Sequence, residues 1–84
     1  MNAPLDALNE AIRKVGNQAK FAEALGIKPP TVHGWRDLGR APEDRCPVIE
    51  AITGVRCEQL RPDIIWTRDQ SGNVTGYHVP LAAA

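Results

Sequence analysis

The chain of 84 residues has little of what most functional classes need. Its formal net charge is zero, with ten cations against ten anions, so no one-sided field steers it to nucleic acid or to a membrane surface. Cysteine occurs twice, at positions 46 and 57. The spacing fits no zinc finger or thioredoxin motif, and the pair reads as two reduced, partly buried thiols of a cytoplasmic protein. His33 and His78 stand alone, without a ligand at helical or strand spacing, so no metal site is expected, and a disulfide or metal pair is the lesser alternative for the two cysteines. No apolar run approaches a membrane span and no signal-peptide pattern opens the chain, so no membrane association is expected. Aromatics are 5% of the residues. Trp35 falls inward in the register described next, while Trp66 and Tyr77 read as core or dimer interface rather than stacking platforms. No nucleophile, base and orienter occur together, and no glycine-rich phosphate loop is present. A domain this small also has little room for a buried substrate, so neither an enzyme nor a cofactor is expected.

What the chain does have is a helix-turn-helix register between Gln18 and Trp35. A helix from about Asn17 to Leu25 puts Phe21, Ala22 and Leu25 on one inward face. Ala22 is small where a second helix must cross closely. Gly26 stands where the chain turns sharply after the helix, a place for positive φ. Ile27, Val32 and Trp35 then anchor a second short helix and leave its other face outside, as a helix that enters the major groove requires. From Asn17 to Arg40 four cations face two anions, a local charge of +2 in a chain of zero net charge. Positive charge is therefore concentrated on the candidate reading element.

Around this register the pattern predicts a mainly α fold of about five short helices. Pro4 starts the first, whose inner face is Leu5, Leu8, Ile12 and Val15. Gly16 stops it, and Asn17 caps the next. Pro29 and Pro30 confine the third helix to about residues 30–38. Pro42 opens a fourth, with Glu43 and Asp44 in its first turn and Val48, Ile49 and Ile52 as its apolar face. A short fifth helix runs from about Cys57 to Arg61. Glu50 is placed to pair with Arg45 or Arg61. Two β-prone runs, 64–68 and 74–79, flank a turn-rich loop and predict a C-terminal hairpin. A lone hairpin is marginal in water, so it should lie on the helices, pair with a second copy of itself, or both. Residues 1–63 are thus expected to form a DNA-binding unit and residues 64–84 a dimerisation element, with 81–84 a frayed end.

Three stretches, Ala24-Leu25-Gly26-Ile27-Lys28-Pro29-Pro30-Thr31-Val32-His33-Gly34-Trp35, Ala41-Pro42-Glu43-Asp44-Arg45-Cys46-Pro47-Val48-Ile49-Glu50 and Leu60-Arg61-Pro62-Asp63-Ile64-Ile65-Trp66, resemble the Cro-like, YdaS-type helix-turn-helix family encoded on prophages. The resemblance spans about Leu5 to Trp66. It implies a compact λ-repressor-like bundle, operator binding as a homodimer and a repressor role. Some relatives are labelled antitoxins, which gives an alternative: a module that neutralises a partner toxin and regulates its own operon. Carried onto this chain, the base-facing positions are Pro29, Pro30, His33 and Gly34. Two prolines and a glycine offer no side-chain hydrogen bond, which leaves His33 and Thr31, flanked by Lys28 and Arg36, as readers. Pro30 is open to apolar contact with a thymine methyl. Gly34 either permits close approach to the groove or is neutral drift. Gln18, in the first turn of its helix, faces a phosphate, and Lys28, Arg36 and Arg40 are candidate phosphate contacts.

Overall fold

Helix α1 (Ala3–Val15) begins with Pro4 in its first turn, and the Asn2 Oδ1 accepts the Leu5 amide at 3.2 Å. The computed structural model describes residues 2–80; the expected frayed end, 81–84, lies outside them. The face that α1 buries is Ala7, Leu8, Ala11 and Ile12, whereas Leu5 and Val15 are only half-buried at the ends of the stripe. The alanines matter because α1 is crossed by every other helix of the bundle, and a methyl side chain lets those backbones come close.

Asn17 caps α2 (Gln18–Leu25), its Oδ1 taking the Lys20 amide at 2.9 Å. Gly26 ends the helix in the left-handed conformation, φ 70°, and its amide returns to the carbonyls of Ala22 and Glu23. The third helix, α3 (Pro29–Leu38), starts one residue earlier than expected, because both prolines fit the first turn, where amides have no partner. It ends at Gly39, φ 81°, which is also a point of close approach. A Cβ there would stand 2.5 Å from the Asn2 side-chain amide, so a larger residue would have to displace the group that caps α1, and the left-handed φ favours glycine in any case.

The fourth helical segment departs from expectation. Residues Glu43–Arg45 form a 3₁₀ turn, and the α-helix proper, α4, is Cys46–Thr53. Pro47 is the reason: it cannot donate to the Glu43 carbonyl, so the chain enters with i→i+3 bonds such as Arg45 N to Pro42 O, 3.1 Å. The expected apolar face of α4 is also narrower. Ile49 is fully buried, but Val48 and Ile52 remain 44% and 43% exposed. The last helix, α5 (Cys57–Leu60), is a single turn, stopped before Arg61 and Pro62. Cys46 and Cys57 are free and fully buried, and burial pushes both thiols up to about 12, out of reach of ordinary thiolate chemistry.

Strands β1 (Ile65–Arg68) and β2 (Val74–His78) form one antiparallel hairpin with an irregularity between Thr67 and Arg68. Asp69 organises the loop, its carboxylate accepting the amides of Ser71 and Asn73 at 2.9 Å each. Across the strands Trp66 pairs with Tyr77, ring centroids 5.4 Å apart. Trp66 also packs on the helical core, and its Nε1 donates to the Arg61 carbonyl.

Two guanidinium groups fasten this part of the molecule. Arg61, 5% exposed, donates to both carboxylate oxygens of Asp63 (3.0 and 2.8 Å), to the Ala41 carbonyl and to Glu43. Arg68 reaches from the hairpin to Glu50 on α4 and Glu58 on α5, and also to the Gly72 carbonyl, with all its nitrogens engaged. Glu50 therefore pairs with neither Arg45 nor Arg61, as sequence spacing suggests, but with Arg68, which the fold-back of the hairpin brings to it. The other Glu50 contact is the Cys57 amide at 2.8 Å, so one carboxylate both caps α5 and holds the hairpin. No helix among the described residues is long and apolar enough to cross a membrane.

Hydrogen bonding from Arg68, aided by the Cys57 amide, holds the Glu50 carboxyl down to about 2, against an ordinary value of 4.5. A carboxyl depressed in the folded state contributes stability above its unfolded pKa and loses it as pH falls through the folded value. Urea unfolding of the protein should therefore show stability falling between about pH 5 and pH 2, with Glu50 contributing of order 2 kcal/mol. Glu50→Gln should be less stable at pH 7 and show a flatter acid limb. Identical pH profiles for the two proteins would contradict the role given to Glu50.

Candidate nucleic-acid interface

The inward sides of α2 and α3 are fixed by Phe21, Ala22 and Leu25 against Val32 and Trp35, all buried in one cluster that Ile27 joins from the turn. Only Gly26, Ile27 and Lys28 separate the two helices. With Val32 and Trp35 inside, the helical period turns Pro30, His33, Gly34 and Asp37 outward. Pro30, His33 and Asp37 are exposed, and Gly34 is half-exposed with open space where a Cβ would stand. The outward face of α3 thus gathers three of the residues singled out by sequence, Pro30, His33 and Gly34, with the exposed Thr31 on its flank.

Gln18 is not a free polar group at a helix start. Its Nε2 donates to the Pro29 carbonyl at 3.2 Å, and its Oε1 accepts from Arg36 Nη1 at 2.9 Å. One amide side chain so links the start of α2 to both ends of α3 and holds the Arg36 guanidinium at the seam between the helices. The Gln18 and Ala19 amides, at the start of α2, precede the first intrahelical bond, Phe21 N to Asn17 O, and suit an external acceptor. The start of α3 is different. Pro29 and Pro30 have no amide N–H, and the Thr31 amide is bonded to the Lys28 carbonyl at 3.0 Å.

Lys28, at the N-cap of α3, and Arg36 are exposed on either end of the same seam. Arg40 is exposed beyond the end of α3 and lies near Asp63, whose carboxyl it helps hold below the usual range after the main effect of Arg61. Arg40 is therefore the least central of the three cations. Two further residues share the outward face and escaped the sequence reading. Asp37 lies one turn beyond His33, its carboxylate 3.5 Å from the His33 Nε2. Leu38 is 74% exposed, the most exposed large apolar side chain among the described residues. The signal for both was the i, i+4 step from His33 and Gly34. Among the described residues, no group of three His, Cys, Asp or Glu side chains is placed to hold a metal ion.

The chain is similar to known proteins in sequence and in fold. Residues 8–69 match the family described as "Bacterial toxin YdaS". A protein of Escherichia coli strain K12, named as a candidate transcriptional regulator, YdaS, is 42% identical over 64 residues. That stretch is 73% of this chain and 65% of the relative, so just under two thirds of the relative is matched. Among solved structures, the chain is similar to the Cro protein from a prophage element, Xfaso 1, of Xylella fastidiosa strain Ann-1. The TM-score is 0.66 at 38% identity, covering 75% of this chain and 94% of that one. It is also similar to XPH1, a hybrid of the Xfaso 1 and Pfl 6 Cro sequences, with a TM-score of 0.50 at 40% identity over 57% of this chain and 74% of that one. With a Cro-like fold and a family match over most of its length, the chain belongs to the YdaS family.

Proposed function

We propose that this protein is a transcriptional regulator that binds double-stranded DNA by laying α3 in the major groove. The observation that carries the reading is the α2–α3 crossing: Val32 and Trp35 inside, a three-residue turn, and the opposite face of α3 open between cations. The likeness to a Cro protein and to a relative named as a candidate regulator supports the same conclusion. In this reading Lys28, Arg36 and Arg40 neutralise phosphates. Gln18, with the first amides of α2, holds one more. His33 reads a base edge, with guanine N7 or O6 as acceptor, and Thr31 stands beside it.

A chain of zero net charge gains little from non-specific attraction, so two copies acting together suit it. Residues 64–84 are the proposed dimerisation element of a homodimeric, Cro-like repressor whose DNA-binding unit is residues 1–63. The hairpin has apolar surface for it on both faces: Ile65, paired with His78, is 59% exposed on the face turned away from Trp66, and Tyr77 and Val79 are also exposed. The Arg68 clasp would transmit that contact to the helices, holding two α3 helices about 34–36 Å apart over successive turns of DNA. The alternative of an antitoxin-type module that neutralises a toxin stands on family resemblance alone, and the family's own description is that of a toxin.

Two measurements test the proposal. Lys28→Ala, Arg36→Ala and Arg40→Ala should each weaken binding to any duplex and lower the slope of log affinity against log salt by about one, read by fluorescence anisotropy. Three unchanged slopes would place the interface elsewhere. Ile65→Asp changes an exposed position, so the circular dichroism spectrum should be retained while sedimentation shows a shift from dimer to monomer. A variant that still sediments as a dimer would move the interface, and α4 with its exposed Val48 and Ile52 becomes the place to look.

A further inference from the structure

The outward face of α3 is divided lengthwise. His33 and Asp37 form a polar column. Beside it Pro30, Gly34 and Leu38 follow one another at four-residue spacing and form an apolar column, flanked by Thr31. The apolar column is open: Pro30 and Leu38 are exposed, and nothing lies within 4 Å of the position a Gly34 Cβ would take. It also has almost nothing to hydrogen-bond with. Pro30, Gly34 and Leu38 have no side-chain donor or acceptor, Pro29 and Pro30 lack an amide N–H, and the Thr31 amide is already taken by the Lys28 carbonyl. A base edge set against this column meets the proline ring, the leucine side chain and the threonine methyl, with only the Thr31 hydroxyl able to answer a polar group.

Among the groups that the major groove displays, the one that such a surface fits is the C5-methyl of thymine; the other edges present donors and acceptors that would lose their water without replacement. We propose that the Pro30–Gly34 end of the apolar column reads thymine C5-methyl groups, with Gly34 leaving the open space that receives the methyl and Pro30 and Thr31 exposed one turn before it. The inference rests on the DNA-binding reading of α3 and adds to it the base feature recognised. It also gives Gly34 a purpose. Alanine would fit the protein there without any clash, and would favour the helix. What its Cβ would fill is the space outside the protein.

The test uses the full chain and random-sequence duplexes. Sites are selected from a library containing thymine, and each thymine of the winning site is then replaced in turn by deoxyuridine, which pairs identically and lacks only the methyl. At one or two positions per half-site the substitution should weaken binding about fourfold, the value of one buried methyl group. Gly34→Ala should raise the melting temperature of the protein and yet weaken binding to the thymine site. At those same positions it should also erase or invert the preference for thymine over deoxyuridine, because its Cβ takes the place of the methyl. Equal affinity of the unaltered protein for thymine and deoxyuridine at every position overturns the methyl inference while leaving DNA binding intact. Failure to enrich any sequence from the first library overturns both.

Discussion

Everything proposed for this protein depends on how α2 crosses α3. Gly26 turns the chain with a left-handed residue, and the short connection leaves α3 little freedom of placement. Phe21, Ala22 and Leu25 close over Val32 and Trp35. Because the side chains of a close-packed core cannot shift independently, the burial of Val32 and Trp35 sets the rotation of α3 about its axis. The outward position of Pro30, His33 and Gly34 is a consequence of that rotation. Function here follows from which face is hidden.

The rest of the fold keeps that pair of helices in place. Gly39 brings the end of α3 onto the cap of α1, and Gln18 fastens the seam from outside with bonds to the Pro29 carbonyl and Arg36. Farther away, Arg61 joins Ala41 and Glu43, just after α3, to Asp63, just before the hairpin. Arg68 then ties the hairpin to α4 and α5 through Glu50 and Glu58. These charges are paired in partly buried sites with well-aligned hydrogen bonds, where losing one partner strands the other. The hairpin is marginal alone, and is held to the helical body by these contacts and by the packing of Trp66.

The local features were legible in the sequence. Helix starts followed from Asn17 and the prolines, helix ends from Gly16 and Gly26, and the inward face of α2 and α3 from the apolar period. Each is set by residues within a turn or two of one another. What was not legible depends on distant chain. Glu50 and Arg68 are 18 residues apart, and only the return of the hairpin makes them partners. The same holds for Gln18 and Arg36, also 18 apart, whose bond needs the α2–α3 crossing to exist first. The exposure of Val48 and Ile52 is of this kind too: the apolar spacing of α4 is real, but the neighbouring elements cover only the Ile49 side. The 3₁₀ entry to α4 is a different case. Its signal, Pro47, is local, but Pro42 alone already accounts for a helix start, so the two prolines cannot be told apart by sequence.

The central claim is that the outward face of α3 is the surface that meets DNA. It is tested most directly by nuclear magnetic resonance of the isotopically labelled protein, titrated with a duplex selected from random sequence. The account predicts that the largest amide shifts fall on Gln18, Ala19, Thr31, His33 and Gly34, with contacts from the His33 ring to base protons. Strong binding whose largest shifts fall on α1 and α5, with α3 unmoved, would contradict it.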